Sequence, residues 1–475
     1  MKRLTRDLKR NFFCAGWNAS AIFAAIATAA LPASAQTNAA ATTNLPAWIT
    51  RPLSLADALN VGLQQNGALL KARSDLEASY GVVMQTRAVA LPRVQATGNY
   101  TDLEPTRIDQ FPSFGPSPTN VFNIPHESWN ADIRIVQSIY QGGQINSALR
   151  SAKLTKEQAI LQYQTVVADT VVNVRVAYYD VLLAAQQITV EEASVNLLTK
   201  ELEDQQRRFQ AGTVPRFNVL RAEVAVANER PKLIRARNDY RIAKNNLSNL
   251  LGYNLPRNVW EDIPLQLTDV LEARPYTIEL PAAITQALER RTELGALRKQ
   301  EQLQQEHVIA ARAGYKPGVQ LFAGYGGQNS EFHNDLGWGL HGWEAGAQVS
   351  WNIFDGLLTQ GRVKQAKALY EKSKTDLEDT GRQIELEVRT AYSTFLEARD
   401  VLDSQQKVQE EAEEALRLAR ARAEAGTGTQ LDVLDAETSL TQARTTQVQA
   451  LHDYEVARAR LERAIGQDMV PTGGK

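Results

Sequence analysis

The sequence predicts a mainly α-helical protein carrying a pair of transmembrane β-hairpins, built as a duplicated helix–strand–strand–long helix–helix unit. Three observations lead there. The stretch from Trp129 to about Arg208 recurs almost whole from Trp343 to Arg422. Each copy opens on an alternating segment, WNADIRIVQSIYQGG at residues 129–143 and WEAGAQVSWNIFDGL at residues 343–357. Each then passes a glycine, Gly142 or Gly356, into a run without proline. At roughly 1.5 Å per residue, such a run of about 65 residues makes a helix about 100 Å long. A strand of membrane length therefore feeds a helix far longer than a bilayer is thick.

The N-terminus reads as a targeting segment. Residues 1–10 are basic, residues 19–31 are apolar and Ala-rich, and Ala33-Ser34-Ala35 gives the small-x-small pattern. This predicts a signal peptide over residues 1–35, cleaved after Ala35. The apolar run is too short for a membrane helix, which needs about 20 residues. Cys14 is the only cysteine and lies inside this segment, so the processed chain is expected to lack disulfides, thiolate metal sites and cysteine nucleophiles. Asn11-Phe12-Phe13 before it lacks the small residues that precede a lipid-modified cysteine. Without residues 1–35 the chain keeps 47 basic and 53 acidic side chains, a net of −6. No basic block suggests a nucleic-acid partner. No later stretch approaches about 18 uninterrupted apolar residues, which excludes a helical span but not a β-barrel, whose signal per strand is much weaker.

Residues 36–52 form a polar lead-in. From residue 53 the period turns helical, with Leu55, Ala58, Leu59 and Leu63 on one face and Ser54 as N-cap. This helix is expected to run to about Ala90, where Leu91-Pro92 ends it. Residues 93–100 then alternate, Val94, Ala96, Gly98 and Tyr100 against Arg93, Gln95, Thr97 and Asn99. After a loop at 101–128, Trp129, Ala131, Ile133 and Ile135 alternate with Asn130, Asp132 and Arg134. Two such strands with terminal aromatics read as a transmembrane hairpin over 93–140, the alternative being a hairpin in a soluble sandwich. The long helix carries a heptad stripe of Thr170, Val174, Ala177, Val181, Ala184, Ile188, Val195, Leu198, Leu202 and Phe209. Its tip lies near residue 212, and the first repeat covers 53–252.

The second half repeats this order. A shift of 225 superposes Leu55, Leu63, Pro92, Val94 and Tyr100 on Leu280, Leu288, Pro317, Val319 and Tyr325. Beyond the hairpin loop a shift of 214 superposes Trp129, Gly142, Tyr178, Gly212, Leu220, Glu223, Tyr240 and Gly252 on Trp343, Gly356, Tyr392, Gly426, Leu434, Glu437, Tyr454 and Gly466. The difference falls in the hairpin loops, where insertions are tolerated. An irregular linker over 253–279 leads to the second repeat, 280–468, with a hairpin over 318–355, a tip near 426 and a tail at 469–475. Its stripe is Ile384, Val388, Ala391, Phe395, Ala398 and Leu402. In its hairpin, Trp343, Ala345, Ala347, Val349, Trp351 and Ile353 alternate with Glu344, Gly346, Gln348, Ser350 and Asn352. Tyr100, Trp129, Tyr325, Trp343 and Trp351 are the expected lipid-facing strand aromatics. Four strands cannot close a barrel, which takes about eight or more, and lipid tolerates no open sheet edge. Several copies must contribute, eight strands as a dimer or twelve as a trimer.

Several local motifs recur in order. They are Ser54-Leu55-x-x-Ala58-Leu59, Leu91-Pro92 and Lys316-Pro317 before strands, and Tyr140-Gln141-Gly142-Gly143 and Phe354-Asp355-Gly356 between strand and helix. Arg208-Phe209-x-Ala211-Gly212 with Asn218-Val219-Leu220, and Ala425-Gly426-Thr427 with Asp432-Val433-Leu434-Asp435-Ala436, mark the far ends. Over residues 53–468 the chain resembles the TolC family of bacterial outer-membrane channels. The resemblance implies a homotrimer whose 12-stranded barrel in outer-membrane lipid continues into a periplasmic α-helical barrel, with residues 253–279 and the chain ends in an equatorial belt. It implies a passive exit duct of a tripartite efflux pump or type I secretion system. The implied partners are a periplasmic adaptor (membrane fusion protein) and an inner-membrane pump or ABC exporter.

The resemblance also assigns residues. Asp432 and Asp435 would form an acidic pore constriction, and Gly212, Thr213, Gly426 and Thr427 would be adaptor-facing tips. Thr429-x-x-Asp432 is equally a capping box, which leaves Asp435 unexplained; the first-half counterpart of Asp432 is Asn218. Arg207 and Arg208 against Glu223, and Arg420 and Arg422 against Glu437, could latch neighbouring helices, although a solvated charged face is the plainer reading for most of them. Gly324-Tyr325-Gly326-Gly327 closes a strand and precedes no helix, so it is not a phosphate loop. His126, His307, His333, His341 and His452 are scattered, and no Ser/His/Asp set stands out. No enzyme activity, cofactor or metal is expected. Only Met84 and Met469 remain after processing, which argues against a thioether-lined duct for soft metal ions. The competing reading is a periplasmic coiled-coil adaptor or structural protein without a pore. The sequence does not distinguish drug, metal ion, metabolite or polypeptide as cargo.

Overall fold

A computed structural model describes residues 47–104, 127–253, 263–329 and 339–467. The expected signal peptide, most of both hairpin loops, part of the linker, His126, His333, Met469 and the tail lie outside these residues. Each repeat supplies two short helices, two strands, a long helix and a return helix. The first contains α2 (Leu55–Gln65), α3 (Gly67–Arg87), β1 (Arg93–Asp102), β2 (Glu127–Gln141), α4 (Gln144–Gln210) and α5 (Arg216–Leu250), after a single turn α1 (Ala47–Thr50). The second contains α6 (Leu280–Arg290), α7 (Thr292–Arg312), β3 (Gly318–Asn329), β4 (Gly339–Ser350), α8 (Leu358–Glu424) and α9 (Gln430–Ile465). The two long helices have 67 residues each, about 100 Å at the usual rise.

The expected single helix over 53–90 is two helices broken at Asn66. Asn66 is extended and caps α3, its Oδ1 accepting from the amides of Ala68 at 2.8 Å and Leu69 at 3.4 Å. Its Nδ2 donates to the carbonyl of Leu250, 2.7 Å away at the end of α5. Helix α5 thus meets α3 end to end, and one side chain satisfies both termini. Helices α9 and α7 meet in the same way at Gly466 and Arg291, where a Cβ on Gly466 would touch Arg290 and Arg291 at 3.4 Å. Helices α2 and α6 branch off at these joints. Ser54 caps α2 as its position predicts, accepting from the amide of Asp57 at 3.2 Å.

The four strands form one antiparallel sheet in the order β1-β2-β3-β4, so the two hairpins are joined through β2 and β3. Strand β4 ends at Ser350, not near Asp355. Residues 351–357 instead form the turn that leads into the long helix, Asp355 Oδ2 accepting from the amide of Thr359 at 2.9 Å. Trp351 consequently lies past the strand, its indole N–H donating to the carbonyl of Tyr315 at 3.2 Å.

Two apolar cores sit near the joints. In the first, Leu53, Leu59, Val174, Tyr178, Val181 and Leu247 pack with Ile263, Leu265 and Leu271 of the linker. The linker is fastened there by a parallel bridge between Leu53 and Leu267 and by the Tyr178 hydroxyl, which donates to the Leu53 carbonyl and to Asp269, each at 3.0 Å. In the second, Ala283, Ala287, Ile384, Val388, Phe395 and Leu461 pack with Tyr276, whose ring meets Phe395 edge-on at 5.7 Å. The heptad stripes run through both cores, with Val174, Val181, Val388 and Phe395 buried. The first stripe fades toward its tip, where Leu198 is still buried but Phe209 is exposed.

Candidate functional site

The sheet has two chemically different faces. Register aligns Ala96, Ile133, Tyr325 and Trp343 across the four strands on one face. Ile133, Tyr325 and Trp343 are 56%, 57% and 80% exposed, and Tyr100, Val94 and Val349 extend the same apolar surface. A contiguous exposed band of this kind is what lipid covers. Trp129 lies partly over β3 and β4, where a Cβ on Gly327 or Gly339 would meet its ring at 3.5 or 3.2 Å. The other face aligns Gln95, Arg134, Gly324 and Glu344. Arg134 crosses β3 at Gly324 to reach Glu344 at 3.3 Å, with its guanidinium 4.2 Å above the Phe322 ring. A side chain at Gly324 would crowd that path, its Cβ lying 3.5 Å from Arg134 Cγ. Strands β1 and β4 each have one neighbour among the described residues, leaving two open edges.

The sheet passes into the helices through left-handed residues, Gly142 and Gly143 in one repeat and Gly356 and Leu357 in the other. At the far ends the two tips are built alike. Gly212 and Gly426 are left-handed, with φ of 74° and 76°. Thr213 and Thr427 fold back, each donating its amide at 2.9 Å to the carbonyl of Arg208 or Arg422. The return helices start differently. Pro215 begins α5 without a side-chain cap, whereas Thr429 and Asp432 form a reciprocal capping box on α9. Asp432 Oδ2 accepts from the amide and hydroxyl of Thr429, both at 2.9 Å. These hydrogen bonds, helped by Arg422, hold the Asp432 carboxyl below its usual range.

Asp435 is exposed one turn later, three residues on and therefore on the same helix face as Asp432. Val433 and Leu434 between them are buried, Val433 against Leu416 of α8 and Leu434 against Leu198 of α4 and Val226 of α5. The acidic doublet is thus fixed by anchors on both sides. Behind the tips, a cleft of about 800 Å³ separates the two hairpins, lined by Gln205, Arg208, Asn218, Arg420, Glu424 and Gln430.

The suggested latches divide. Arg207 and Arg208 pair with Asp204, at 3.6 and 2.6 Å, one turn back on their own helix. That local partner outcompetes Glu223 across the hairpin. Arg420 does cross from α8 to Glu437 on α9, at 3.0 Å. Glu437 is 2% exposed, and burial pushes its carboxyl up while Arg420 partly offsets this. Position 206, the counterpart of Arg420, is Gln206, so the first repeat has no such bridge.

Sequence reasoning missed the seam between the repeats, where α4 lies along α9. Asp169 pairs with Arg463 at 2.7 Å and Arg175 with Glu462 at 2.6 Å. Tyr179 donates to Glu455 at 3.3 Å, and His452 Nε2 lies 2.8 Å from Asp180. The partners lie far apart in sequence, so spacing gives no hint of them. The one legible sign is Arg175 inside the apolar run of Val171, Val172, Val174 and Ala177. Among the described residues no cluster of three or more metal-ligating side chains occurs, and no helix is long and apolar enough to cross a membrane.

The model of one protein family, outer membrane efflux protein, matches residues 58–253 and 283–467, both repeats almost in full. The chain belongs to this family. Its members are outer-membrane channels rather than enzymes, and the chain is accordingly an outer-membrane protein. The outer membrane protein TolC of Vibrio cholerae is 25% identical over 422 residues, covering 87% of this chain and 90% of TolC. The alkaline protease secretion protein AprF of Pseudomonas aeruginosa is 27% identical over 303 residues, 62% of this chain and 60% of AprF. The CmeC outer-membrane channel of Campylobacter jejuni shares the fold, with a TM-score of 0.73 at 16% identity over 87% of this chain and 85% of CmeC.

Proposed function

We propose that three copies of the chain form a passive exit duct, twelve strands closing a barrel in the outer membrane above a barrel of long helices that reaches into the periplasm. The observation that carries it is a four-stranded sheet with one lipid-type face and two open edges, continuous with helices of 67 residues. Open edges in lipid leave several kcal/mol of unsatisfied backbone per group, and copies of the same sheet complete them. The exposed apolar row also disfavours a water-soluble adaptor, which has no lipid to cover it.

The family is one of passive channels, so in this reading the energy for transport comes from elsewhere. An inner-membrane pump or ABC exporter, joined through a periplasmic adaptor, supplies it, and the tips at Gly212, Thr213, Gly426 and Thr427 are the surfaces that meet the adaptor. The pump selects the cargo, and a duct of this kind serves small-molecule efflux and protein secretion alike. Asp432 and Asp435 from each copy ring the periplasmic mouth. Clustered carboxylates attract cations and repel one another.

Recording from the purified oligomer in a planar bilayer tests this reading. It predicts ohmic conductance steps with no nucleotide present. Asp435→Ala raises the conductance and weakens block by multivalent cations. Asp435 is the cleaner target, because Asp432→Ala also removes a helix cap, at a cost of about 1 kcal/mol. An intact oligomer that never opens a pore contradicts the duct, and unchanged conductance and block in Asp435→Ala contradict the ring.

A further inference from the structure

One position on the seam between the repeats holds a buried histidine between two carboxylates. His452 is 8% exposed, and each of its ring nitrogens faces a carboxylate. Nε2 lies 2.8 Å from Asp180 Oδ1 on α4, and Nδ1 lies 3.0 Å from Asp453 Oδ1 on its own helix. A neutral imidazole has one N–H and one lone pair, so it can donate to only one of these acids. Imidazolium donates to both. We propose that His452 is a proton-operated clasp that ties the second helical hairpin to the first while charged and loosens the duct when it loses its proton. The effect on conduction rests on the channel reading above; the clasp itself does not.

The surrounding charges leave the histidine to these two acids. On α4, Tyr179 is turned to Glu455 and Arg175 to Glu462. On α9, Asp453 also accepts from Gln449 at 2.8 Å, and Glu455 lies 3.7 Å from Arg458. The linker gives Glu455 the backbone N–H of Arg274 at 3.3 Å. Toward α8, Asp453 shares a groove with Glu397 and Arg460. Burial pushes the imidazole pKa down, but the bonds to Asp180 and Asp453 outweigh it and hold the pKa above the ordinary histidine value. A raised value means that the clasp is fully made below the ordinary histidine range and is lost as pH rises through the raised one.

Hydrogen–deuterium exchange on the purified full chain, corrected for the intrinsic rate at each pH, reads the seam directly. Between about pH 5 and pH 8, the interval histidine spans, amides of residues 446–456 should lose protection as pH rises. The expected loss is about tenfold or more, the factor that one charge-assisted hydrogen bond represents. Bilayer conductance should rise over the same interval. In His452→Gln both readouts stay flat at the high-pH level. Asp180→Asn keeps the ring but removes one charge, so its transition moves to lower pH. A wild-type exchange profile without pH dependence, or one unchanged in both variants, overturns the clasp. Responsive exchange with unresponsive conductance overturns its control of the duct. A preparation that forms no pore contradicts the channel reading instead, and exchange still decides the clasp.

Discussion

Asn66 and Arg291 hold equivalent places in the two repeats by different chemistry. Asn66 bonds two helix ends at once, while Arg291 pairs with Glu387 at 2.5 Å and Glu293 at 3.2 Å. Its half-exposed partner Glu387 makes the second joint the more salt-sensitive. Asn66→Ala removes a cap from α3 and a donor from the end of α5. We expect a loss of about 1–3 kcal/mol in denaturant unfolding, a cap plus one unsatisfied carbonyl. A change below the error of the measurement would contradict the double-cap account. This residue shows where the sequence stops speaking. Ser54 was legible as an N-cap because its partner is three residues away. The role of Asn66 was not, because Leu250 is 184 residues away. The Asp432 cap was legible for the local reason, and its place beside Asp435 follows from helix geometry alone. The His452 contact with Asp180 was invisible, since the two residues are 272 apart in sequence.

At the scale of elements, periodicity was the reliable guide. Alternation gave the strand faces and the heptad stripe gave the buried side of the long helices, because both patterns are set by the residues that carry them. Boundaries imposed from elsewhere were not readable. Helix α3 starts at residue 67 because α5 arrives there, and β4 stops at 350 because the segment after it is recruited to begin α8. That junction holds the one non-glycine left-handed residue among those described, Leu357 with φ 71°, at the place where the first repeat has Gly143. A left-handed L-residue costs roughly 1–2 kcal/mol, and the Leu357 side chain is 63% exposed, so little packing offsets it. Leu357→Gly should therefore raise stability by up to about 1 kcal/mol, read as a shift in the thermal midpoint. Destabilisation would show that the leucine has an apolar partner, in another copy or in lipid.

The whole molecule makes sense only as a part of a larger wall. Within the chain the helices lie in the sequence α5, α4, α9, α8, since α4 contacts α5 and α9, and α9 contacts α8. The strands run β1 to β4. Both layers therefore begin and end on an element with one free side, and the free sides match: a first-repeat edge in one copy, a second-repeat edge in the next. Amino-acid pattern alone required several copies, yet it left dimer and trimer open, because closure depends on curvature that no single strand encodes. The central claim is that these edges meet between copies and close after three. Cys14 is the only native cysteine, so introduced pairs report cleanly. Thr97→Cys on β1 can be combined in turn with Gly342→Cys, Glu344→Cys or Gly346→Cys on β4, to find the register that brings Cα atoms within about 4.4–6.8 Å. Oxidation in outer-membrane vesicles, followed by non-reducing electrophoresis, should give a ladder that ends at three chains and collapses on reduction. Chains that remain single in every pairing, or a ladder that stops at two or runs past three, would contradict the account.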